Sequence, residues 1–257
     1  MNMSPRTTTH IVAPLAEHTH TIIFLHGKDS TATEFASEIF ESQASNDLTL
    51  PQLLPGVKWV FPSAPTLRSA RFDCDMTQWF DMWDVQNPDE RWREQVVELS
   101  ASVEEVVGII EREVEAVGRA KVLVAGMSQG AAVGVHAVLR TGVAGFVGLS
   151  TWFALGGQVE RIVEGEREGE EWVVRVRELT NGQAGVAEQR WSLPVFLGHC
   201  EDDEVVPVGN GRRMRDLLGK LGAEVEWREY VDGGHWLNEL QGVDDMVAFV
   251  KRILYIQ

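Results

Sequence analysis

A tight turn between a strand and a helix is the strongest constraint in this sequence. The pentapeptide Gly-Met-Ser-Gln-Gly at residues 126–130 follows a strand-like apolar run at 121–124 and precedes a helix-like run at 131–139. A strand, a very tight turn and a helix in this order form a nucleophile elbow, whose central serine has a strained backbone. We expect the two glycines to lie where strand and helix nearly touch, since neither has a side chain. The pattern predicts a nucleophilic Ser128 beside the free N–H groups of a helix N-terminus.

The rest of the chain alternates between strand-like and helix-like segments. Short apolar or alternating runs predict strands at 21–25, 57–61, 146–150, 193–198 and 224–230. Apolar residues at three- and four-residue spacing predict helices at 31–42, 96–114, 212–221 and 237–253. Between them, residues 63–87 are irregular and aromatic. This alternation predicts an α/β fold with a mostly parallel, twisted sheet covered by helices on both faces.

The length of 257 residues and a hydrophobic content of 44% suit a single domain with a large core. Residues 1–18 are expected to form a flexible N-terminal lead-in, and residues 19–257 the domain. The segment at about 153–192 is too long for a bare loop, so we expect an insertion that contains a helix of its own. Its acidic composition suits a cap over the site and a solvated surface insertion equally well.

Charge and cysteine content exclude several kinds of partner. The formal net charge of −16 opposes binding to nucleic acid and to anionic membrane surfaces, both of which select basic patches. The two cysteines, Cys74 and Cys200, do not make a disulfide framework. The polar start has no apolar signal core, and no apolar run approaches the roughly 20 residues of a membrane span. We therefore expect a cytoplasmic protein without a transmembrane segment or a nucleic-acid partner.

A serine nucleophile needs a base that removes its proton and a third group that orients the base. In this type of fold the chain order is serine, acid, histidine, which leaves His136, His199 and His235. His136 lies within the predicted elbow helix, and His199 ends a strand before an acidic cluster. His235 follows two glycines between the last strand and the last helix, where a loop can place an imidazole over the elbow. The sequence therefore predicts His235 as the base.

The acid is expected just after the strand-like run at 193–198. The candidates there are Glu201, Asp202, Asp203 and Glu204, and the residues alone do not separate them. Asp232 is a weaker candidate, because it is too near His235 in sequence to reach it easily.

An oxyanion hole needs backbone N–H groups at the carboxyl ends of strands. One donor is expected from Gln129, the residue after the nucleophile. The other is expected from Lys28 in the loop after the first strand, where Gly27 allows close approach of the backbone. His26, beside that loop, is interpreted as a structural hydrogen-bonding residue.

Seven short motifs occur in an order that resembles a known family. They are Phe-Leu-His-Gly at 24–27, Trp-Val-Phe-Pro-Ser-Ala-Pro at 59–65, Trp-Phe-Asp at 79–81, the pentapeptide at 126–130, Ser-Thr-Trp at 150–152, Asp-Glu-Val-Val-Pro at 203–207 and Gly-His at 234–235. Together they resemble the acyl-protein thioesterase, or phospholipase/carboxylesterase, family of α/β-hydrolases over about residues 20–254. The fungal branch looks closest, from residues 33–35 and 79–83.

The resemblance implies an α/β-hydrolase fold and a set of site residues. Ser128 would be the nucleophile, His235 the base and Asp203 the acid, the last because it stands four residues before Pro207 in the family's D-x-x-V-P motif. The family's oxyanion donors fall on Lys28 and Gln129. Its acyl groups lie in an apolar channel beside the elbow, and the residues in the matching neighbourhood, expected to bind substrate, are Trp79 and Trp152.

The function expected from these features is that of a serine hydrolase that cleaves carboxylic esters or thioesters through an acyl-enzyme. Its substrate would be a small molecule, a lipid or an acylated protein, and the mechanism needs no metal or cofactor. Two alternatives stay open: a small-molecule esterase or lactonase of a biosynthetic pathway, and a catalytically inactive hydrolase fold that serves as a binding module. Apolar surface near the site would suit acyl binding or a homodimer.

Two departures from the family pattern bear on the substrate. The loop after His26-Gly27, usually glycine-rich, reads Lys28-Asp29-Ser30 here, and the segment at 153–192 is longer than in compact members. Both are expected to affect the accepted acyl or leaving group more than the chemistry.

Overall fold

A computed structural model describes residues 8–165 and 192–256. Its strands are β1 (Thr9–Val12), β2 (His20–Leu25), β3 (Val57–Pro62), β4 (Thr66–Ser69), β5 (Cys74–Thr77), β6 (Val122–Met127), β7 (Gly145–Leu149), β8 (Pro194–Cys200) and β9 (Glu224–Tyr230). Its helices are α1 (Ala32–Glu41), α2 (Leu50–Leu53), α3 (Trp92–Val117), α4 (Gln129–Thr141), α5 (Gly156–Gly165), α6 (Val208–Lys220) and α7 (Gln241–Leu254), with a 3-10 turn at Arg119–Lys121.

Seven of these strands form one twisted sheet in the order β1-β3-β2-β6-β7-β8-β9. All neighbours are parallel except β1, which pairs antiparallel with β3 at the edge. Parallel neighbours need a crossover connection, and the helices supply it, which covers the sheet on both faces. The separate pair β4–β5 is an antiparallel hairpin.

The buried side chains of the sheet divide between two cores. On β2, Ile23 and Leu25 belong to the core that α3, α4, α5 and α6 cover, while Ile22 and Phe24 belong to the core under α1, α2 and α7. Successive residues of a strand point to opposite faces, so a central strand that is buried on both faces reads as a continuous apolar run. The predicted α/β-hydrolase fold, with helices on both faces of a mostly parallel sheet, is confirmed.

None of the helices in these two ranges combines the length and the apolar character needed to cross a lipid bilayer.

Three elements differ from the sequence prediction. Residues 9–12, placed in a flexible lead-in, form β1, whose register pairs Thr9 with Pro62 and Val12 with Trp59. The irregular stretch 63–87 contains the β4–β5 hairpin, and α2 was not anticipated. The expectation of a flexible lead-in is therefore wrong for residues 9–12, because this four-residue edge strand depends on a partner about 50 residues away, which leaves no local signal.

The segment at 153–192 begins with α5, which agrees with a helix in that part of the chain. Residues 166–191, which carry the rest of the predicted insertion, lie outside the described residues.

Close backbone contacts surround the turn between β6 and α4. A Cβ added to Gly126 would lie 2.5 Å from Ala131 Cα, and one added to Gly130 would lie 2.6 Å from the Leu25 carbonyl oxygen, with the His26 carbonyl closer still. Between these glycines Ser128 has φ of 51° and ψ of −122°, a conformation that L residues rarely adopt. The turn therefore packs against α4 on one side and against the end of β2 on the other.

Replacing Gly130 with Ala is expected to lower the free energy of unfolding by at least about 3 kcal/mol, because the new methyl group would overlap two backbone carbonyls that cannot move independently. The matched control is Gly219→Ala in α6, where an added Cβ meets no atom within 4 Å. That change should stabilise the helix by up to about 1 kcal/mol. Urea unfolding of both variants measures the difference, and equal midpoints for Gly130→Ala and wild type would contradict the expected overlap.

Candidate active site

Ser128 lies at the junction of β6 and α4, and hydrogen bonds hold its backbone in the strained turn. Its N–H donates to the Leu149 carbonyl at 2.9 Å. Its carbonyl oxygen accepts from Thr151 Oγ1 at 2.8 Å and from the Ala132 N–H at 3.1 Å. The residue is only 6% exposed, and its side chain borders a cavity. The neighbouring strand β7 and its following residues thus fix the orientation of the serine.

Asp203 lies in the loop between β8 and α6, and both of its carboxylate oxygens accept hydrogen bonds. Oδ1 accepts from the backbone N–H groups of Val205 and Val206 at 2.9 and 2.8 Å. Oδ2 lies 2.8 Å from Nδ1 of His235. The backbone bonds close a tight turn that aims the carboxylate inward, so its side chain is fully buried although the residue sits in a loop.

The four acidic candidates of this loop separate clearly in space. Glu201, Asp202 and Glu204 are exposed, whereas Asp203 is buried and contacts the imidazole. Asp202 has a different role, since its Oδ1 accepts the N–H of Gly234 at 2.8 Å and so holds the loop that carries His235. Asp203 is therefore the acid of this loop that the structure brings to His235.

His199, which the chain order left open only as an alternative base, is a second imidazole beside Asp203. Its Nε2 lies 2.9 Å from the Val206 carbonyl oxygen and 3.3 Å from Asp203 Oδ2. Both partners are acceptors, so Nε2 must carry a proton. The residue is 1% exposed at the end of β8. Its position four residues before Asp203 is the only sequence signal that could have suggested this supporting contact.

The environment of Asp203 favours its ionised form. Burial has the largest influence and acts to raise the pKa of the carboxyl group, but the hydrogen bonds from His199 and His235 outweigh it, with further help from the Val206 N–H. The net result is a pKa for Asp203 well below its ordinary range. At neutral pH the side chain is thus a carboxylate that can accept a proton-bearing Nδ1.

His235 lies in the loop between β9 and α7, and its side chain is 23% exposed. The two preceding residues, Gly233 and Gly234, have φ of 126° and 63°, in the region that favours glycine. These conformations turn the loop so that His235 borders the same cavity as Ser128. With Nδ1 bound to Asp203, the other ring nitrogen is free to serve that cavity.

The loop after β2 passes directly beside Ser128. A Cβ added to Gly27 would lie 3.5 Å from the Ser128 Cβ. Lys28 and Gln129 both border the cavity, and neither backbone N–H has a hydrogen-bond acceptor within the described part of the chain. The next N–H, that of Asp29, is already bound to the Thr77 carbonyl at 2.7 Å. Two free N–H donors thus flank the serine where the sequence analysis placed the oxyanion donors.

The side chain of Gln129 joins the elbow to the aromatic segment that follows β5. Its Oε1 accepts the Trp79 N–H at 2.8 Å, and its Nε2 donates to the Phe80 carbonyl at 2.8 Å. The Trp79 indole N–H in turn donates to the His26 carbonyl at 2.8 Å. This buried chain of bonds connects the turn at Ser128 with the loop that carries Lys28.

Trp79 therefore does not have the position expected of a substrate-binding residue. It is fully buried, it does not border the cavity, and its indole N–H is occupied by a backbone carbonyl. The expectation is wrong because the polar edge of the ring faces the loop after β2, which places the whole side chain beneath the site. Trp152, in contrast, does border the cavity.

His26 has the structural role expected from the sequence. Its Nε2 accepts the Ala64 N–H at 2.9 Å, so the ring proton lies on Nδ1, which faces the Gly27 carbonyl at 2.6 Å. Burial lowers the pKa of His26, which favours the neutral ring. The ring thereby supports the loop from below without entering the cavity.

The cavity has a volume of about 440 Å³ and a wall that is mainly apolar. Its large apolar and aromatic residues are Phe35, Phe72, Met76, Met82, Trp83, Val85, Met127, Trp152, Val205 and Trp236. Four charged residues also border it, namely Lys28, Asp29, Glu38 and Arg71. A cavity of this size and composition suits a small ligand with an apolar part.

Across residues 8–165 and 192–256, no group of three or more His, Cys, Asp or Glu side chains is arranged to hold a metal ion.

Comparison with known proteins places these features in a family. Residues 6–165, more than half of the chain, match the family model described as phospholipase/carboxylesterase. The acyl-protein thioesterase 1 of Neurospora crassa is 25% identical over 246 residues, covering 93% of this chain and 89% of that protein. A protein of Oryza sativa subsp. japonica named "Probable inactive carboxylesterase" is 28% identical over 249 residues, covering 91% of this chain and 84% of that protein.

The fold is also shared with a solved structure. The crystal structure of Zea mays acyl-protein thioesterase 2 superposes with a TM-score of 0.73 at 23% sequence identity. The superposition covers 96% of this chain and 99% of the maize chain. At this identity the likeness establishes the common fold.

The depressed pKa of Asp203 predicts a pH dependence of stability. A carboxyl group whose pKa is lower in the folded than in the unfolded state stabilises the protein at any pH above its unfolded-state pKa, about 3.9. This stabilisation is lost as the pH falls towards the folded-state pKa. The difference in unfolding free energy between wild type and Asp203→Asn should thus be largest above about pH 5 and shrink below about pH 4. Urea unfolding across this range measures it.

Asp202→Asn is the matched control, because it removes an equal charge from the exposed neighbouring residue. A difference between wild type and Asp203→Asn that stays constant from pH 7 to pH 3 would contradict the predicted ionisation.

Proposed function

The chain belongs to the phospholipase/carboxylesterase family and is a hydrolase acting on ester bonds, and from that premise we propose that Ser128, His235 and Asp203 form its catalytic triad. The observation that carries this proposal is the 2.8 Å contact between buried Asp203 Oδ2 and His235 Nδ1, on a ring that borders the same cavity as Ser128. The substrates are carboxylic esters or thioesters, and the reaction passes through an acyl-enzyme intermediate.

In the first half of the reaction, Ser128 Oγ attacks the carbonyl carbon while Nε2 of His235 takes the hydroxyl proton. Asp203 keeps Nδ1 protonated, which directs the Nε2 lone pair into the cavity, and it stabilises the imidazolium that forms. No hydrogen bond joins Ser128 Oγ to His235 in the structure, although both residues are described. Catalytic hydrogen bonds often tighten only when substrate is bound.

The oxyanion of the tetrahedral intermediate is bound by the backbone N–H groups of Lys28 and Gln129. Neither donor is used within the described chain, and Gln129 N–H also belongs to the first turn of α4, whose dipole favours negative charge. One such donor typically contributes about 3 kcal/mol to transition-state stabilisation.

Collapse of the tetrahedral intermediate ends the first half: the carbonyl C–O or C–S bond breaks, His235 gives its proton to the leaving alkoxide or thiolate, and the acyl group stays on Ser128. Water then repeats the attack, again with His235 as base, and releases a carboxylic acid and free Ser128. The acyl chain lies against the apolar wall of the cavity, where Trp152 contacts it.

The two alternatives keep the fold and differ in what the cavity does. A small-molecule esterase or lactonase would use the same residues on a different substrate, and turnover of acyl thioesters separates it from an acyl-protein thioesterase. An inactive binding module is the less favoured alternative. A rice relative carries the name "Probable inactive carboxylesterase", but in this chain Ser128 and His235 border one cavity and Asp203 contacts His235, which supports an active enzyme.

A fluorophosphonate probe is expected to label the wild-type protein covalently at one residue, because the probe reacts with an activated serine. Ser128→Ala should remove the label completely, while Ser45→Ala, at an exposed position in the loop before α2, should label like wild type. Intact-protein mass spectrometry after probe treatment measures the adduct. Unlabelled wild type, or equal labelling of Ser128→Ala, would refute the serine-hydrolase mechanism.

Asp203→Asn is expected to reduce kcat by about 10³- to 10⁴-fold, since an amide cannot stabilise the imidazolium and favours the wrong tautomer of His235. Asp202→Asn keeps the Asp203 contact and should lose less than about tenfold, in keeping with its supporting bond to Gly234. Steady-state kinetics on a 4-nitrophenyl ester compares them. Survival of activity in Asp203→Asn together with its loss in Asp202→Asn would assign the acid to the other carboxylate.

A further inference from the structure

The ammonium group of Lys28 is a cation on the cavity wall that forms no direct ion pair with the described part of the chain. Within the described ranges, no carboxylate oxygen lies within 4.0 Å of its Nζ and no acceptor receives its hydrogens. Its one specific contact is with the ring of Phe72, whose centroid lies 5.0 Å from Nζ. Burial lowers the pKa of Lys28, and the charges of Asp81 and Asp29 oppose that shift without cancelling it, so a bound anion would relieve a cost that the protein offsets only in part.

A second cation contacts the same ring. The guanidinium carbon of Arg71 lies 5.6 Å from the Phe72 centroid. Arg71 donates to the Trp83 carbonyl at 2.8 Å and to Asp84 Oδ1 at 3.0 Å, so it is held in place while Lys28 is not. The two cations and the exposed face of Phe72 form one wall of the cavity, which we name the Phe72 wall.

Backbone contacts hold the Phe72 wall in a fixed position. The Ala70 N–H donates to Asp81 Oδ2 at 3.0 Å, and the Asp29 N–H donates to the Thr77 carbonyl at 2.7 Å. The Asp29 bond fastens β5 to the loop after β2, and the Ala70 bond fastens the turn of the β4–β5 hairpin to the segment that follows β5. A binding surface that is held in this way needs little reorganisation when a ligand arrives.

The charge of the wall contrasts with that of the whole protein. The formal net charge is −16, and the other charged residues of the cavity, Asp29 and Glu38, are acidic. Among the four charged residues that border the cavity, Lys28 and Arg71 are the cations, and Lys28 is the one without a carboxylate in contact within the described residues, so its ammonium is the group that would attract an anionic ligand. Because the Lys28 N–H is one of the proposed oxyanion donors, its side chain begins beside the scissile carbonyl.

We propose that the enzyme selects esters or thioesters that carry a carboxylate near the scissile bond, and that Lys28 Nζ binds this carboxylate. The inference rests on the proposed function, because it takes Ser128 and its oxyanion donors as the reacting centre. Arg71 is paired with Asp84 at 3.0 Å, so the binding of the carboxylate is assigned to Lys28 alone. The carboxylate can belong to the acyl group or to the leaving group, and two substrate pairs distinguish these sources.

The acyl-side pair is mono-4-nitrophenyl adipate and its neutral methyl ester. The leaving-group pair is 4-acetoxybenzoate and methyl 4-acetoxybenzoate. In wild type, kcat/KM is expected to be higher for the anionic member of at least one pair. That preference should fall between 0.01 and 0.5 M salt while turnover of the neutral member stays constant, because salt screens the attraction to Lys28.

Lys28→Met removes the charge but keeps the backbone N–H and most of the aliphatic stem. It should reduce kcat/KM for the anionic member about 10- to 100-fold more than for the neutral member, the range expected for a hydrogen bond to a charged group. Lys28→Arg should restore most of the preference. Lys121→Met, which removes an exposed positive charge from the 3-10 turn, is the matched control and should keep the wild-type ratio.

Two results would overturn the proposal while the proposed function stands: wild type that turns over neutral esters without preferring either anion, and equal losses for both members of a pair in Lys28→Met. An equal loss would assign Lys28 to the reacting centre instead of to charge recognition. Failure of wild type to turn over any neutral or anionic ester would count against the proposed function itself.

Discussion

The close approach of Gly130 to the end of β2 is the contact on which the site depends. It lets the first turn of α4 lie against the carbonyls of Leu25 and His26, which no residue with a side chain would allow. In the same turn Ser128 has a strained backbone conformation and lies beside Gly27, so that the serine and the loop with Lys28 are neighbours. Such strain persists only where the surroundings over-determine it, and here the bonds to Leu149, Thr151 and Ala132 do so.

Buried hydrogen bonds also fix the positions of the groups that surround the cavity. Gln129 fixes Trp79, and Trp79 fixes the carbonyl of His26, so the elbow and the oxyanion loop cannot shift independently. On the opposite side, His199 and two backbone N–H groups hold Asp203 as a carboxylate against His235. The chemistry proposed for Ser128 requires its donors and base within a few tenths of an ångström of their working positions, and these hydrogen bonds limit how far those groups can move.

Most of the fold could be predicted from sequence because its central strands are buried on both faces and its helices are amphipathic. The segments at 21–25, 146–150 and 224–230 coincide with β2, β7 and β9 to within one residue at each end. Ser128, His235, Lys28 and Gln129 were located by chain order and by the turn, and the structure places all four on one cavity. The edge strand β1 and the β4–β5 hairpin were missed, because short strands at an edge depend on distant partners and carry little periodic signal.

The sequence by itself determined three features. Apolar periodicity gave the α/β architecture, glycine at two crowded positions gave the elbow, and the order of residues along the chain gave His235 as the candidate base. The residues alone left four adjacent acids open and the family motif pointed to Asp203, but only the tertiary structure shows how this acid meets His235: the turn closed by Val205 and Val206 aims its carboxylate inward and leaves the neighbouring acids in solvent. The tertiary structure also decided that Trp152 borders the cavity while Trp79 lies beneath it, and that the ammonium of Lys28 meets Phe72. Such choices depend on the directions of individual side chains across segments far apart in sequence, which no local pattern records.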